Sequence, residues 1–177
     1  RGNNSSKLTT HNTQIPFIVG PPLTNPATFF GRQRELRRLF GLLRQPPLQN
    51  GAIIGPRRSG KTSLLNQLRT LCTTPAGQLR PQQRNNWLAT PQDYRWAFVD
   101  FQDRRFADPA YLLHNLLTQL NMTAPQPTQM EQFMEIVADE LVQPTVILLD
   151  EIGVALEQYE RLDDAFWENL RSLASHQ

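Results

Sequence analysis

The sequence contains one cysteine, two lysines and no apolar run long enough to cross a bilayer. The single Cys72 excludes an internal disulfide and is typical of the reducing cytosol, so we expect a cytoplasmic protein with this thiol as a small buried group. No charged-then-apolar secretory signal begins the chain, and we expect no membrane partner. The first residue is Arg1, not Met, which predicts a piece of a longer chain.

Lysine is scarce because arginine supplies 16 of the 18 basic residues. Lys61 therefore indicates a position where a slim ammonium group is needed. Charge is divided unevenly, since residues 1–100 hold 14 Lys/Arg and 3 Asp/Glu, whereas residues 101–177 hold 4 and 13. The basic half suits an anionic ligand. DNA is a less favoured partner, because the arginines are scattered and not interleaved with aromatic residues.

One stretch carries the most specific motif of the chain. It reads Gly55-Pro56-Arg57-Arg58-Ser59-Gly60-Lys61-Thr62 and matches the phosphate-loop pattern G-x-x-x-x-G-K-[ST] at every fixed position. Ala52–Ile54 before it is predicted to be a short buried strand, and residues 63–72 after it a helix. A glycine-rich turn without a ligand is the alternative interpretation of the motif.

The residue types of this motif fit the chemistry of a triphosphate. Glycines let backbone N–H groups curl around the β-phosphate, and the helix that follows adds its free N–H groups and its dipole. Lys61 is predicted to reach the β- and γ-phosphate oxygens, and Ser63 to lie near the α-phosphate. The Thr62 hydroxyl is predicted to bind Mg²⁺. ATP is favoured over GTP because no guanine-reading N-K-x-D-like element is present.

The rest of the chain alternates helices and strands, which predicts an α/β fold with a parallel sheet. Residues 1–27 are predicted to be a linker and extended segment, and residues 73–95 a long polar loop or insertion with Trp87 as its docking anchor. Helices are expected at residues 33–43, behind Asp108-Pro109, at residues 128–141 and from about 161 or 162 to 174, and a second strand at residues 96–101.

The third predicted strand ends in two acids. Four aliphatic residues, 146–149, indicate a strand buried on both faces, hence a central one, and Asp150-Glu151 follow them. Ligands of open α/β sheets bind at the carboxyl ends of strands. Asp150 is therefore predicted to hold Mg²⁺ opposite Thr62, and Glu151 to act as general base toward the attacking water, with Lys61 as its catalytic partner. A solvated strand end is the alternative interpretation.

A third motif, Phe29-Phe30-Gly31-Arg32-Gln33-Arg34-Glu35-Leu36, precedes the phosphate loop. In the order hydrophobic-Gly-Arg-x-x-Glu-Leu, helix, strand, phosphate loop, strand, hydrophobic-Asp-Glu, residues 28–177 resemble the AAA-like ATPases. They most resemble the STAND group (signal transduction ATPases with numerous domains) and the related archaeal-type ATPases. The resemblance implies that Phe30, Gly31 and Arg32 border the adenine and ribose. Without it, the motif is an ordinary N-capped helix with Gly31 at a turn.

The resemblance also implies a three-layer α/β/α core of the ASCE type, in which a sensor strand lies between the phosphate-loop strand and the Asp-Glu strand. Here the sequence stops at Gln177, where that strand is expected to begin. We therefore expect the native protein to continue, because the covered residues alone leave a gap in the sheet with unpaired backbone groups. Sensor residues, a lid and an arginine finger of the family pattern are not covered. Arg104 and Arg105 are either trans-acting arginines or, more plainly, a solvated loop.

These observations predict an ATP-binding and ATP-hydrolysing, Mg²⁺-dependent switch domain that controls an attached effector or assembly. Its expected partners are ATP and ADP, together with a second copy or another protein. A DNA-associated AAA-like ATPase, such as an initiator or transposition regulator, is the first alternative. A non-hydrolysing nucleotide-binding scaffold is the second.

Overall fold

The structure is a computed structural model that describes residues 22–44, 50–80, 83–84 and 86–173. Two strands lie in this part of the chain, β1 (Arg95–Asp100) and β2 (Thr145–Asp150). Its α-helices are α1 (Gln33–Arg44), α2 (Lys61–Thr73), α3 (Pro109–Gln119), α4 (Met130–Glu140), α5 (Ile152–Gln158) and α6 (Asp164–Ser172). The predicted linker in residues 1–21 falls outside the described residues, and the domain boundaries stay a prediction.

The two strands form a parallel pair in register from Arg95 opposite Thr145 to Asp100 opposite Asp150. Parallel strands need a crossover connection, and α3 and α4 lie in the chain between them. Helix α3 begins where sequence predicts, because Asp108 accepts a hydrogen bond from the Ala110 N–H at 3.0 Å and Pro109 opens the first turn. The α/β class is therefore confirmed.

Alternation along the strands divides their side chains between two hydrophobic clusters. Ala97 and Val99 of β1 pack with α3 and with residues of α4, α5 and α6, on what we call the α3 face. Val146 and Leu148 of β2 pack with residues of α1 and α2, on what we call the α2 face. Helices thus cover both sides of the two-stranded sheet.

The long polar segment before β1 is docked on helix α1. Trp87 is 5% exposed and stacks on Phe40, with ring centroids 5.2 Å apart and planes at 5°. Arg44 Nε donates to the Trp87 carbonyl at 2.6 Å, and the Tyr94 hydroxyl donates to the Leu43 carbonyl at 2.7 Å. Trp87 is the docking anchor predicted from sequence, and its burial explains how a segment with little regular structure stays attached.

The predicted strand at Ala52–Ile54 is wrong for the described structure. This segment has no regular secondary structure and pairs with no strand among the described residues, and Ile54 is 93% exposed. A strand requires a hydrogen-bonded neighbour, and none of the described residues supplies one beside it. The central position expected for β2 is likewise not seen, since its one described strand partner is β1.

The outer edge of β1 is closed by a side chain. The Gln119 amide donates from Nε2 to the Phe98 carbonyl at 3.0 Å, and its Oε1 accepts from the Phe98 N–H at 2.9 Å. This pair of bonds imitates a neighbouring strand and makes β1 an edge strand. Among the described residues, no comparable contact closes the opposite edge of β2.

Candidate functional site

The glycine-rich motif forms a loop that leads directly into helix α2. Arg58 and Gly60 have positive φ angles of 63° and 82°, and α2 begins at the next residue, Lys61. A Cβ on Gly60 would meet no atom within 4 Å, so glycine is needed there for the left-handed backbone and not for space. The turn is closed by the Ser59 N–H, which donates to the Pro56 carbonyl at 3.3 Å.

The start of α2 presents unpaired hydrogen-bond donors. The N–H groups of residues 60–63 have no acceptor in the described part of the chain, and no side chain caps the helix. The first N–H groups of a helix have no intrahelical partner and carry the positive end of its dipole. The loop and helix therefore offer several backbone donors to an anion at one place.

Lys61 is folded over its own loop. Its Nζ donates to the carbonyl oxygens of Gly55 at 3.1 Å and Pro56 at 3.2 Å. These carbonyls satisfy the ammonium group without an ion pair, since no carboxylate within the described residues lies in salt-bridge range of it. The ammonium group is thus held at the mouth of the loop, where it is free to exchange carbonyls for phosphate oxygens.

Helix α2 runs antiparallel to the strands. Near its middle, the Arg69 guanidinium lies 5.4 Å from the centre of the Phe98 ring, which is in mid-strand. Near its end, Cys72 is close enough to Tyr94 to raise the pKa of that phenol, after burial as the larger cause. These two contacts indicate that the first residues of α2, among them Lys61 and Thr62, lie toward the carboxyl ends of the strands.

Two aspartates end the strands on this same face. Asp100 and Asp150 are opposite each other in register, and alternation puts both on the α2 face with Val146 and Leu148. Asp100 accepts a hydrogen bond from the Gln102 N–H at 2.9 Å. Asp150 is 4% exposed as a residue and forms no ion pair within the described residues, and its carboxylate oxygens are not among the fully buried side-chain atoms that lack a partner. An acid that forms no ion pair at the end of a strand is suited to a cation.

Glu151 follows with its side chain in the open. It has a positive φ of 52° and is exposed, and α5 begins at the next residue. The left-handed backbone turns the chain sharply at the end of β2, so that adjacent acids differ in environment, Asp150 being buried and Glu151 in contact with solvent. A non-glycine residue in this conformation is uncommon and often marks a functional turn.

The Phe30-Gly31-Arg32 segment is tied to the phosphate loop. Gly31 and Arg32 both have positive φ, 76° and 56°, and Phe30 is 57% exposed. The Arg32 guanidinium donates to the Ser59 carbonyl at 2.7 Å and to Glu35 Oε1 at 3.0 Å. The pKa of Glu35 is lowered by its backbone hydrogen bond and by Arg32.

A second contact also joins this region to α2. The Leu23 N–H donates to Ser63 Oγ at 3.0 Å, so the hydroxyl predicted to lie near the α-phosphate already accepts one protein hydrogen bond. This hydroxyl keeps its own proton for a phosphate oxygen. Sequence did not indicate the Leu23 contact, because it links residues forty positions apart.

The two arginines after β1, Arg104 and Arg105, differ in their contacts. Arg105 forms an ion pair with Asp103 at 2.5 Å, which lowers the pKa of Asp103 and raises the pKa of Arg105. Arg104 has no carboxylate partner in the described part of the molecule. A role for either as a trans-acting arginine stays a prediction.

The residues present fit a magnesium–nucleotide complex. Within the described ranges, no three His, Cys, Asp or Glu side chains gather into a group able to hold a metal by themselves. Mg²⁺ typically takes one or two protein ligands and completes its shell with phosphate oxygens and water. Free N–H donors in the loop, a threonine hydroxyl and an acid at the end of β2 are donors of that kind.

A glycine-rich loop opening a helix, beside an acid at the end of a parallel strand, defines the class of P-loop nucleotide-binding proteins. A family model described as AAA domain matches residues 48–177. The chain therefore belongs to the AAA domain family, which bears out the predicted P-loop NTPase and the nucleotide-binding expectation at that level. Neither the search of curated proteins nor that of solved structures gives a match. Among the described helices, none has the length and apolar character needed to cross a bilayer.

Proposed function

We propose that this domain binds MgATP on the phosphate loop and hydrolyses it slowly, as the switch of a STAND-type signalling or defence ATPase. The observation that carries the proposal is the start of α2, where the N–H groups of residues 60–63 have no acceptor among the described residues and Lys61 lies over the loop. Alternation along β2 places Asp150 on the α2 face as well, which supports its part in the same site.

The triphosphate is bound by the backbone first. The loop from Gly55 through Pro56, Arg57, Arg58 and Ser59 to Gly60, and the N–H groups of residues 60–63, surround the β-phosphate. Lys61 exchanges the Gly55 and Pro56 carbonyls for β- and γ-phosphate oxygens. This exchange supplies a charge-assisted contact that shortens and strengthens as charge moves onto the phosphates.

The Thr62 hydroxyl and Asp150 would hold Mg²⁺, directly or through water. The ion would supply charge neutralisation on the phosphates during transfer. Asp150 is suited to this role because it forms no ion pair within the described residues. ADP leaves the γ-position empty and thereby gives the second state of the switch.

Glu151 acts as general base. Its exposed carboxylate accepts a proton from a water molecule as the water oxygen bonds to the γ-phosphorus and the bond from that phosphorus to the bridging oxygen breaks. The γ-phosphate leaves as inorganic phosphate, and the bridging oxygen stays on ADP. Solvent contact suits this role, because the base must exchange its proton after each turnover.

The base of the nucleotide lies against Phe30, Gly31 and Arg32. The hydrogen bond between Arg32 and the Ser59 carbonyl links this segment to the loop, and the bond from Leu23 to Ser63 links the preceding residues to α2. A change at the γ-phosphate is therefore passed to the N-terminal segment, and from there to an effector or to a second copy in a cytoplasmic assembly.

A three-layer α/β/α core is a further part of the proposal. It is supported by the helices that cover both sides of the sheet and by the edge of β2, which pairs with no strand other than β1 among the described residues.

The proposal is tested by two substitutions with one control. Lys61→Ala should weaken ATP binding at least about tenfold, since a charge-assisted contact is lost. Glu151→Gln should keep binding within about twofold and reduce single-turnover hydrolysis by about 10²-fold or more. Glu157→Gln, an exposed acid on α5, is the matched control and should leave both unchanged.

Fluorescent-nucleotide titration and phosphate release measure these effects. If the Glu151→Gln variant hydrolyses ATP at the wild-type rate, Glu151 is not the general base. If the Lys61→Ala variant binds ATP as tightly as the wild-type chain, the phosphate loop is not the ATP-binding site.

A further inference from the structure

The outer edge of β1 is the side of the strand that faces away from β2. At the two ends of the pair, the Arg95 N–H donates to the Pro144 carbonyl at 2.9 Å and the Phe101 N–H donates to the Asp150 carbonyl at 3.1 Å. Alternate residues of a parallel strand bond to the same neighbour, so the odd-numbered residues of β1 bond to β2. The even-numbered residues therefore direct their N–H and C=O groups to the outer edge. No strand in the described part of the chain pairs there.

Gln119 occupies the middle of this edge. Phe98 is the central one of the three even-numbered residues, and the Gln119 amide bonds to both of its outward groups, at 2.9 Å to the N–H and 3.0 Å to the carbonyl. Gln119 Nε2 also donates to Asn115 Oδ1 at 2.6 Å, one turn earlier on α3. The amide is thus held from its own helix in the orientation that fits the strand.

The groups on either side of Phe98 are open. The N–H and C=O of Trp96 and the N–H of Asp100 have no hydrogen-bond partner among the described residues. β1 contains neither proline nor lysine, the residues that commonly discourage pairing at an edge, and its tryptophan, phenylalanine and valine favour strands. Unpaired edge groups of this kind are a template for another chain.

This edge is complementary to a second copy of itself. In an antiparallel pair, residues that exchange two hydrogen bonds lie directly opposite each other. With Phe98 opposite Phe98, Trp96 of each copy lies opposite Asp100 of the other, so all three outward-facing residues meet outward-facing residues. The two-fold axis of such a pair passes through the Phe98 position, which is where the Gln119 amide binds.

We propose that Gln119 prevents β1 from pairing with β1 of a second copy. Its amide fills the two backbone groups at the centre of the symmetric register, and its side chain occupies the space that a second strand needs. Any assembly of copies must then use another surface of the domain. The proposal goes beyond the proposed ATPase function and does not depend on nucleotide binding.

The test compares two substitutions at Gln119 with a neighbouring control. Gln119→Ala opens the edge and suits the end of a helix, because alanine has the highest helix propensity. Gln119→Lys also removes the amide but places at the edge a charged group that disfavours pairing. Thr118→Ala is the control, since Thr118 is exposed and its hydroxyl bonds at 2.8 Å to the His114 carbonyl of its own helix.

Sedimentation velocity without nucleotide, from about 1 to 100 µM protein, measures self-association. With increasing concentration, Gln119→Ala should reach about twice the wild-type mass, because pairing about a two-fold axis is closed at the dimer. Gln119→Lys and Thr118→Ala should keep the wild-type mass.

Amide hydrogen exchange of the Phe98 N–H, followed by NMR, locates the contact. In dilute Gln119→Ala it should exchange about tenfold faster than in the wild-type chain, because its acceptor is gone. In the concentrated variant it should slow again, since a carbonyl of the second copy replaces the Gln119 oxygen.

Three results would overturn the proposal. The first is a wild-type mass for Gln119→Ala at every concentration. The second is an equal rise in mass for Gln119→Lys or Thr118→Ala, which would show that a loosened α3, and not an open edge, causes association. The third is association of Gln119→Ala without slower exchange at Phe98, which would place the contact elsewhere. Lys61→Ala should leave the mass unchanged, so the outcome is separate from that of the ATP-binding test.

Discussion

The two faces of the sheet differ in how completely they are packed. On the α3 face, side chains such as Leu112, Leu116 and Phe133 are fully buried and form one large apolar cluster. On the α2 face, the cluster is smaller and borders the strand-end aspartates. Ile54 in the segment entering the phosphate loop is 93% exposed.

This difference separates stability from ligand binding. On the α3 face, apolar burial stabilises the fold and leaves no polar group available for ligand binding. The α2 face is less completely packed where the strands end, because N–H donors and carboxylates there must stay free for a ligand. Substitutions on the two faces should therefore have effects of different kinds.

The largest expected effect is on folding. Leu116→Ala on the α3 face should lower the free energy of unfolding by about 2–5 kcal/mol, because it leaves a cavity in a closed core. Ile54→Ala beside the loop should change it by no more than ~0.5 kcal/mol, because this side chain loses little contact. Urea unfolding followed by circular dichroism measures both. An equal loss in the two variants would show that residue 54 is covered in solution and would contradict the difference between the faces.

A smaller effect is expected on magnesium-dependent binding. Asp150→Asn should weaken binding of MgATP by about 10- to 100-fold, because one charged ligand of the ion is lost. The same variant should unfold no more easily without nucleotide, since Asp150 forms no ion pair within the described residues that the change could break. Asp100→Asn, at the same level of the sheet, should change MgATP binding by about threefold or less.

Nucleotide titrations with and without Mg²⁺, together with thermal melts, separate these outcomes. Equal losses of MgATP affinity in the Asp100 and Asp150 variants would show that the two strand-end aspartates do not differ in their role. A loss for Asp150→Asn that is the same without Mg²⁺ would show that Asp150 does not act through the ion.

The smallest effect concerns Cys72, near the end of α2 away from the loop. Burial raises the pKa of its thiol from 9.0 to about 12, so the folded state disfavours the thiolate. Its contribution to stability is present below pH 9 and is lost as the pH rises toward 12. Alkylation at pH 8 should therefore be much slower in the native chain than in urea, because the thiolate is the reactive form. Equal rates would show that this end of the α2 face is open as well.

Most of the secondary structure that could be predicted from the sequence was predicted from local residue patterns. The helix at α3 was predictable because Asp108 and Pro109 mark its first turn, and β2 because four aliphatic residues precede an acid. Helix α5 was not predicted, since its seven residues follow the strand without a cap signal. The strand at Ala52–Ile54 was predicted wrongly. Apolar character indicates that a segment tends to be buried, but it does not show that a neighbouring strand is present to pair with it.

The candidate site can likewise be divided into what local sequence motifs predict and what depends on the folded chain. Lys61, Thr62 and Asp150 could be predicted as site residues from sequence, because each belongs to a short motif whose chemistry depends on spacing. Their meeting at one site stays a prediction from the type of fold.

By itself, the sequence determined what depends on neighbours along the chain: a phosphate-loop backbone, a capped helix, and an acid after a buried strand. Only the tertiary structure decided how the surroundings of the two strand-end aspartates differ and which apolar segment stays uncovered. The physical reason is that backbone conformation depends on local sterics and hydrogen bonds, whereas burial and electrostatic pairing depend on groups that folding brings together from distant positions.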